Sequence, residues 1–138
     1  MLAVHLVKTY CLPSLLYGCE TLHLNITDIK SIDIAWNNAF RKIFNGYWRQ
    51  CVKPLQFYCQ CLPVSLVIAM RKILLFWKKM FYHNNPGLHI LANECHQSVK
   101  AEADVYNIKS HQIASSSSFA IKNLFWSYFT TTMMVNVN

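Results

Sequence analysis

The chain has 138 residues, of which 54% are hydrophobic and only 14% are charged. Soluble domains usually carry about 25% charged residues, so this chain is apolar for its size and is expected to need a partner over part of its surface. Arg71 and Lys72 split the longest apolar stretch, which excludes a run of about 18 apolar residues and therefore a transmembrane segment. The formal net charge is +7.

The first predicted element is a helix over residues 2 to 12, where apolar side chains recur at helical spacing. Pro13 disfavours helical geometry at Leu12, so we expect a kink or a break there. The helix is expected to resume at Ser14 and to end near Gly18, because glycine favours the backbone conformation that terminates helices.

The stretch LVKTYCLPSLLYGCE, from Leu6 to Glu20, resembles a segment that follows the catalytic palm in the reverse transcriptases of LINE-type (non-LTR) retrotransposons. In that family a helix with the pattern L-x-K-[ST]-x-x-x-P-x-L-x-Y-G-x-E opens the thumb region. The matching positions, in order and without gaps, are Leu6, Lys8, Thr9, Pro13, Leu15, Tyr17, Gly18 and Glu20.

The second predicted helix begins near Thr27, which can cap it, and ends before Gly46. Asp28 lies in its first turn, where the helix dipole favours negative charge. One apolar stripe, which predicts packing against a neighbour, consists of Ile29, Ile32, Trp36, Ala39, Phe40 and Ile43. The family has the pattern L-x-x-L-x-x-x-x-N-x-x-x-R-K-[IL]-F at this distance, and the residues that resemble it are Ile29, Ile32, Asn37, Arg41, Lys42, Ile43 and Phe44.

Residues 45 to 62 are predicted to form a loop or short helix, and a third helix is expected to start at Pro63 and to stop at Asn84-Asn85-Pro86-Gly87. Its basic face holds Arg71, Lys72, Lys78 and Lys79. The opposite, apolar face holds Leu66, Met70, Ile73, Trp77, Met80 and Phe81. The family also has an L-P entry to a basic helix here, which Leu62, Pro63 and Val67 resemble.

Beyond residue 83 we find no resemblance. Leu88 to Cys95 is predicted to form a short helix, and Ser115 to Ser118 to cap a helix over Phe119 to Phe129. That helix is predicted to place Ala120, Leu124 and Tyr128 on one side. The tail TTTMMVNVN is expected to be disordered.

These elements predict an all-α fold, a small thumb-like bundle of three to four helices with a disordered C-terminal tail. Residues 4–83 are interpreted as the thumb-like region, and residues 84–138 as an unmatched, partly helical extension. The resemblance implies that the missing palm domain, or another protein, would cover the exposed apolar surface.

The family's polymerase chemistry requires paired carboxylates that hold two metal ions. The three aspartates here, Asp28, Asp33 and Asp104, are not adjacent, and no aromatic-x-Asp-Asp turn is present. We therefore expect a non-catalytic fragment of an RNA-directed DNA polymerase, with no catalytic residues and no cofactor.

A zinc site is the next alternative, with Cys51, Cys59, Cys61, Cys95 and His96 as possible ligands. Their spacing fits poorly, because zinc ligands favour pairs separated by about two to four residues. The first residues lack a signal-peptide pattern, so the six cysteines are expected to be free thiols in an intracellular protein, nuclear or cytoplasmic.

No acidic residue occurs between Asp33 and Glu94, although eight basic ones do. Such a segment indicates a polyanionic partner, either nucleic acid or an anionic membrane surface, or else a solvated face. The candidate phosphate-binding residues are Arg41, Lys42, Arg71, Lys72, Lys78 and Lys79. The resemblance implies that they would grip an RNA/DNA duplex through its backbone. Aromatic residues interleave with these bases, as in Tyr47-Trp48-Arg49, but rings at such spacing are more often core than stacking platforms.

Two other hypotheses stay open. The helix around residues 64 to 82 could lie on an anionic membrane surface as a basic amphipathic helix. The chain could also be a decayed remnant without function.

Overall fold

The computed structural model describes residues 2–76, 86–109 and 117–135, and every regular element within these ranges is helical. The predicted all-α class is therefore confirmed. The chain divides into two compact units, Met1–Ile68 and Ala69–Asn138. The predicted boundary after residue 83 was drawn from resemblance rather than from contacts, so it stays a prediction.

The first helix passes through Pro13 without breaking. Helix α1 (Leu2–Leu6) leads into a π-helical turn (Val7–Cys11) and then into α2 (Leu12–Leu15). Leu12 has helical backbone angles and its N–H donates to the Val7 carbonyl, a π-type bond. The helix does not break at Leu12; the expected irregularity is instead a π-helical turn just before it, since a wider turn accommodates a proline that has no N–H to donate.

Helix α2 ends at a turn that requires glycine. Gly18 has φ +75°, a conformation that other residues adopt only at a cost of about 1–2 kcal/mol. The N–H groups of Thr21 and Leu22 both donate to the Gly18 carbonyl, at 3.0 and 3.1 Å. The predicted end signal is confirmed at this position.

Helix α3 (Ile26–Ile43) is the longest element of the first unit, and Asn25 rather than Thr27 caps it. The Asp28 N–H donates to Asn25 Oδ1 at 2.9 Å, while Asp28 Oδ2 accepts from the Asn25 N–H at 3.1 Å. This reciprocal capping box satisfies two N–H groups at once. The predicted apolar stripe is confirmed as the less exposed face, with Trp36 and Phe40 fully buried.

Two further helices follow, the first within the first unit and the second running from it across the boundary at Ile68. Helix α4 (Lys53–Tyr58) ends where Gln60 adopts a left-handed conformation and the Cys61 N–H donates to the Gln56 carbonyl at 2.8 Å. Helix α5 (Val64–Leu74) follows Pro63 and is buried at nearly every position of its first half. The core of this unit comprises Val4, Leu16, Cys19, Trp36, Phe40, Val52, Cys61, Leu62, Val64, Leu66, Val67 and Ile68.

In the second unit, helix α6 (Pro86–Val105) is much longer than the short helix predicted over Leu88 to Cys95. Pro86, taken as part of a stop signal, is its first residue, a position where proline's fixed φ suits a helix. The helix ends in a Schellman motif, in which Asn107 has φ +56° and the Ile108 N–H donates to the Ala103 carbonyl.

Helix α7 (Ser118–Val135) extends well beyond the predicted Phe129. Ser117 Oγ accepts from the Ala120 N–H at 3.2 Å, so the predicted serine cap is confirmed. The buried stripe is Ile121, Phe125 and Phe129, one position along from the predicted side, whose residues are half-buried. Tyr106, after α6, packs on this helix with ring centroids 5.4 Å from Phe125 and 5.3 Å from Tyr128.

The predicted disordered tail is wrong for residues 130–135, which belong to α7. The hydroxyls of Thr130, Thr131 and Thr132 each donate to the carbonyl four residues earlier, at 2.8 to 2.9 Å. The threonine hydroxyls are therefore satisfied by carbonyl groups of the same helix, and the segment stays helical. Residues 136–138 lie outside the described ranges.

Candidate nucleic-acid interface

The predicted bases Arg41 and Lys42 lie in the last turn of α3, and the structure gives them different surroundings. Arg41 is half-buried and donates from Nη1 to Asn38 Oδ1 at 2.9 Å and from Nη2 to the Gln50 carbonyl at 3.3 Å. Lys42 is exposed. Arg41 therefore fastens the chain that follows α3, while Lys42 presents its ammonium group to solvent.

The segment fastened by Arg41 connects α3 to α4, and we call residues 44–52 the α3–α4 loop. It closes on itself through the Gln50 N–H, which donates to the Tyr47 carbonyl at 2.9 Å, and the Tyr47 N–H, which donates to Gln50 Oε1 at 3.3 Å. The Gly46 N–H donates to the Arg41 carbonyl at 2.8 Å. A Cβ at Gly46 would lie 3.2 Å from Gln50 Oε1. The loop is thus tightly folded and closed by its own hydrogen bonds.

The tip of the loop exposes two large aromatic rings beside a guanidinium group. Tyr47 is 65% exposed and Trp48 is 63% exposed, with ring centroids 6.0 Å apart. The Arg49 guanidinium carbon lies 4.5 Å from the Trp48 ring centroid, at cation–π distance. Aromatic platforms with adjacent cations are the elements that proteins use to hold unpaired bases and their phosphates.

The aromatic residues near these bases therefore fall into two groups. Trp36 and Phe40 are core residues, with ring centroids 5.2 Å apart in an edge-to-face arrangement. Tyr47 and Trp48 were predicted to be core rather than stacking platforms, but they lie at the surface. The signal that separates them is local: Asn45, at φ +49°, and Gly46 end the helix, so the later rings leave the apolar stripe.

A polar network around the buried Gln56 links α3 and α4. Gln56, only 1% exposed, donates from Nε2 to Asn37 Oδ1 at 2.8 Å. Asn37 Nδ2 in turn donates to Asp33 Oδ2 at 3.4 Å. The first bond joins α4 to α3, and the second orients Asn37 along α3; the buried Gln56 amide has no solvent partner to replace Asn37.

Asp33 faces the start of α5. Burial raises the pKa of this carboxyl group, while its hydrogen bond with Asn37, the charge of Lys53 and the N–H groups of Val64 and Ser65 oppose the shift. The N–H contacts are imperfect, since Oδ1 has no hydrogen bond of good geometry. Asp33 therefore lies close to the first N–H groups of α5 and to Lys53, whose positive charges favour the ionised carboxylate.

The other four predicted phosphate-binding residues do not lie near the α3–α4 loop in sequence. Arg71 and Lys72 lie in the last turn of α5 and are half-buried. They belong to the second compact unit, whereas Arg41 and Lys42 belong to the first. Lys78 and Lys79 lie outside the described residues.

Several residues that match the reverse-transcriptase patterns make structural contacts in this chain. Gly18 supplies the positive φ of the turn after α2, and Lys8 Nζ donates to the Gln60 carbonyl at 3.1 Å. Asn37 bridges α3 and α4, and Arg41 fastens the α3–α4 loop. Tyr17, by contrast, is 88% exposed. Most of these matching residues therefore stabilise the first unit, whereas Tyr17 is exposed at its surface.

The possible zinc ligands show no shared site where they are described. Cys51 is exposed, Cys59 is half-buried and Cys61 is buried, and no group of three metal-ligating side chains occurs among the described residues. Burial raises the pKa of the Cys61 thiol, which donates to the Cys59 carbonyl at 3.5 Å. The side chains of Cys95 and His96 lie outside the described part.

Comparison with protein-family models, curated proteins and solved structures gives no match. Among the described helices, none combines the length and apolar character needed to cross a membrane.

Proposed function

We propose that the chain binds nucleic acid through its phosphate backbone without reading sequence, as a non-catalytic, thumb-like fragment of a LINE-type reverse transcriptase. The observation that carries the proposal is the α3–α4 loop, where the exposed Trp48 ring lies beside Arg49, together with the exposed Lys42 in the last turn of α3. Lysine and arginine heads in a region without nearby acidic residues in sequence are suited to phosphate oxygens.

The assignment differs in detail from the six bases chosen on sequence. Lys42 keeps its role, and Arg49 joins it. Arg41 becomes a positioning residue, because its guanidinium group is hydrogen-bonded to the loop. Arg71 and Lys72 remain candidates for a second contact within their own unit.

The membrane-surface alternative rested on a basic amphipathic helix around residues 64 to 82. The described part of that segment argues against it, because Leu66, Val67, Ile68, Ala69 and Met70 are all buried. A helix that lies on a membrane exposes one apolar face to lipid, and no such face is presented by these residues.

The proposal predicts how salt affects binding. The double variant Lys42→Ala, Arg49→Ala should lower the slope of log K against log[salt] for a labelled RNA/DNA duplex by roughly 2, since each lost phosphate contact removes about 0.9. Fluorescence anisotropy between low and physiological salt measures both slopes. The matched control is Lys30→Ala, Lys122→Ala, which removes the same charge from exposed positions on α3 and α7.

The control separates local contacts from net charge. If the two double variants lower the slope equally, then binding follows total charge and the loop is not the interface. If the unaltered chain shows no salt-dependent binding to a duplex or to a single strand, then the proposed function itself is wrong.

A further inference from the structure

The α3–α4 loop has features that phosphate binding does not use. Phosphate contacts require only Lys42 and Arg49, yet the loop also exposes the rings of Tyr47 and Trp48. A duplex hides the faces of its bases by stacking them on one another, so exposed rings gain little from it. A single strand offers base faces as well as phosphates.

We propose that the α3–α4 loop binds unpaired bases of a single-stranded nucleic acid, with Trp48 as the main stacking platform and Tyr47 as the second. This inference rests on the proposed phosphate-backbone binding and names the strand form that the loop prefers. The Trp48 ring is 63% exposed although Arg49 lies over it, so an incoming base meets both an indole surface and a cation.

The arrangement of the two rings and the hydrogen bonds within the loop support a single-stranded nucleic acid as the ligand. The two ring centroids lie 6.0 Å apart with an interplanar angle of 46°, so the rings form a bent surface rather than a flat stack, which suits bases that are splayed apart. The internal bonds of Gln50 and the clamp from Arg41 hold this surface before any ligand arrives. A preformed site loses less conformational entropy on binding than a mobile loop does.

The positive charges at and near the loop favour a polyanionic ligand over an apolar protein partner. Lys42 precedes the loop, Arg49 is within it, and residues 34 to 93 contain no acidic side chain. An apolar partner would leave these cations buried and unpaired, which is costly. A nucleic acid pairs them with phosphates and covers the rings with bases.

The test compares three probes of equal length: a single-stranded oligonucleotide, the same strand without bases, and a duplex. Trp48→Ala should weaken binding to the base-containing strand roughly tenfold to a hundredfold, the range found when one stacking ring is removed. Binding to the abasic strand and to the duplex should change less than about twofold. These two ligands offer no free base faces, so they bind through their phosphates and do not depend on the Trp48 ring. Trp48→Phe should retain most of the affinity, since phenylalanine still stacks.

Tyr58→Ala is the matched control, because Tyr58 is 79% exposed but lies on α4 rather than in the loop. Its affinity for the base-containing strand should equal that of the unaltered chain. Circular dichroism of each variant confirms that the fold is retained, which is expected for side chains this exposed.

Two results would overturn the inference. One is equal affinity of the unaltered chain for the base-containing and abasic strands, with no effect of Trp48→Ala; salt-dependent binding would then leave the phosphate proposal intact. The other is that Trp48→Ala abolishes binding to vesicles of anionic lipid while single-strand binding is unchanged, which would assign the rings to a membrane surface. Absence of binding to all three nucleic acids would overturn both proposals together.

Discussion

Phe40→Ala is expected to lower the free energy of unfolding by about 3–5 kcal/mol, the usual cost of deleting a buried phenylalanine. Phe40 is 0% exposed, contacts Trp36 edge-to-face, and stacks on Phe44 with centroids 6.5 Å apart. Its removal leaves a cavity in the centre of α3's packed face. Domains of this size are stable by only about 5–15 kcal/mol, so this single change should remove a large share of the free energy of unfolding.

Phe44→Ala is the matched control, since Phe44 is the same residue type at the C-cap of α3 but is 40% exposed. It should cost about 1–2 kcal/mol, because partly exposed side chains bury less apolar area. Urea denaturation followed by circular dichroism measures both variants. Equal losses for Phe40→Ala and Phe44→Ala would show that α3 does not pack as described.

Asn37→Ala is expected to cost about 2–4 kcal/mol, although it removes only two hydrogen bonds. The reason is the position of its partners: Gln56 is 1% exposed, so water cannot replace its lost partner, and the half-buried Asp33 loses a hydrogen bond as well. An unsatisfied buried polar group costs about 1–3 kcal/mol. Asn38→Ala, at the exposed neighbouring position, should cost less than about 1 kcal/mol.

A double-mutant cycle with Gln56 tests the network directly. Once Asn37 is alanine, Gln56→Ala should add little or even restore stability, because the stranded amide is removed. Strictly additive losses would mean that the two side chains do not interact. Thermal melts of the two single variants and the double variant decide between these outcomes.

Much of α3 was predictable because its apolar stripe is wide and regular. The N-cap was misassigned because Asn25 and Thr27 are both good caps, and only the spacing of Asn25 to Asp28 distinguishes them. The helical tail was missed because threonine has a low helix propensity. Bonds from Thr130, Thr131 and Thr132 to the preceding turn are visible only in the structure.

The candidate site was predictable in composition but not in arrangement. A run of bases without acids drew attention to Arg41 and Lys42, and their role as phosphate-binding residues stays a prediction. The bond from Arg41 to the Gln50 carbonyl could not be foreseen, because its partner is a backbone atom whose position depends on the whole loop. The exposure of Tyr47 and Trp48 follows from the same loop, so sequence periodicity alone ranked these rings as core.

The most direct test of the α3–α4 loop as a nucleic-acid interface is photocrosslinking with a single strand that carries a photoreactive uracil. Mass spectrometry then identifies the residue that touches the base. Crosslinks concentrated at Tyr47 and Trp48, and lost as salt rises, are the predicted result. Crosslinks at other exposed rings, such as Tyr17 or Tyr58, with none in the loop, would contradict the account.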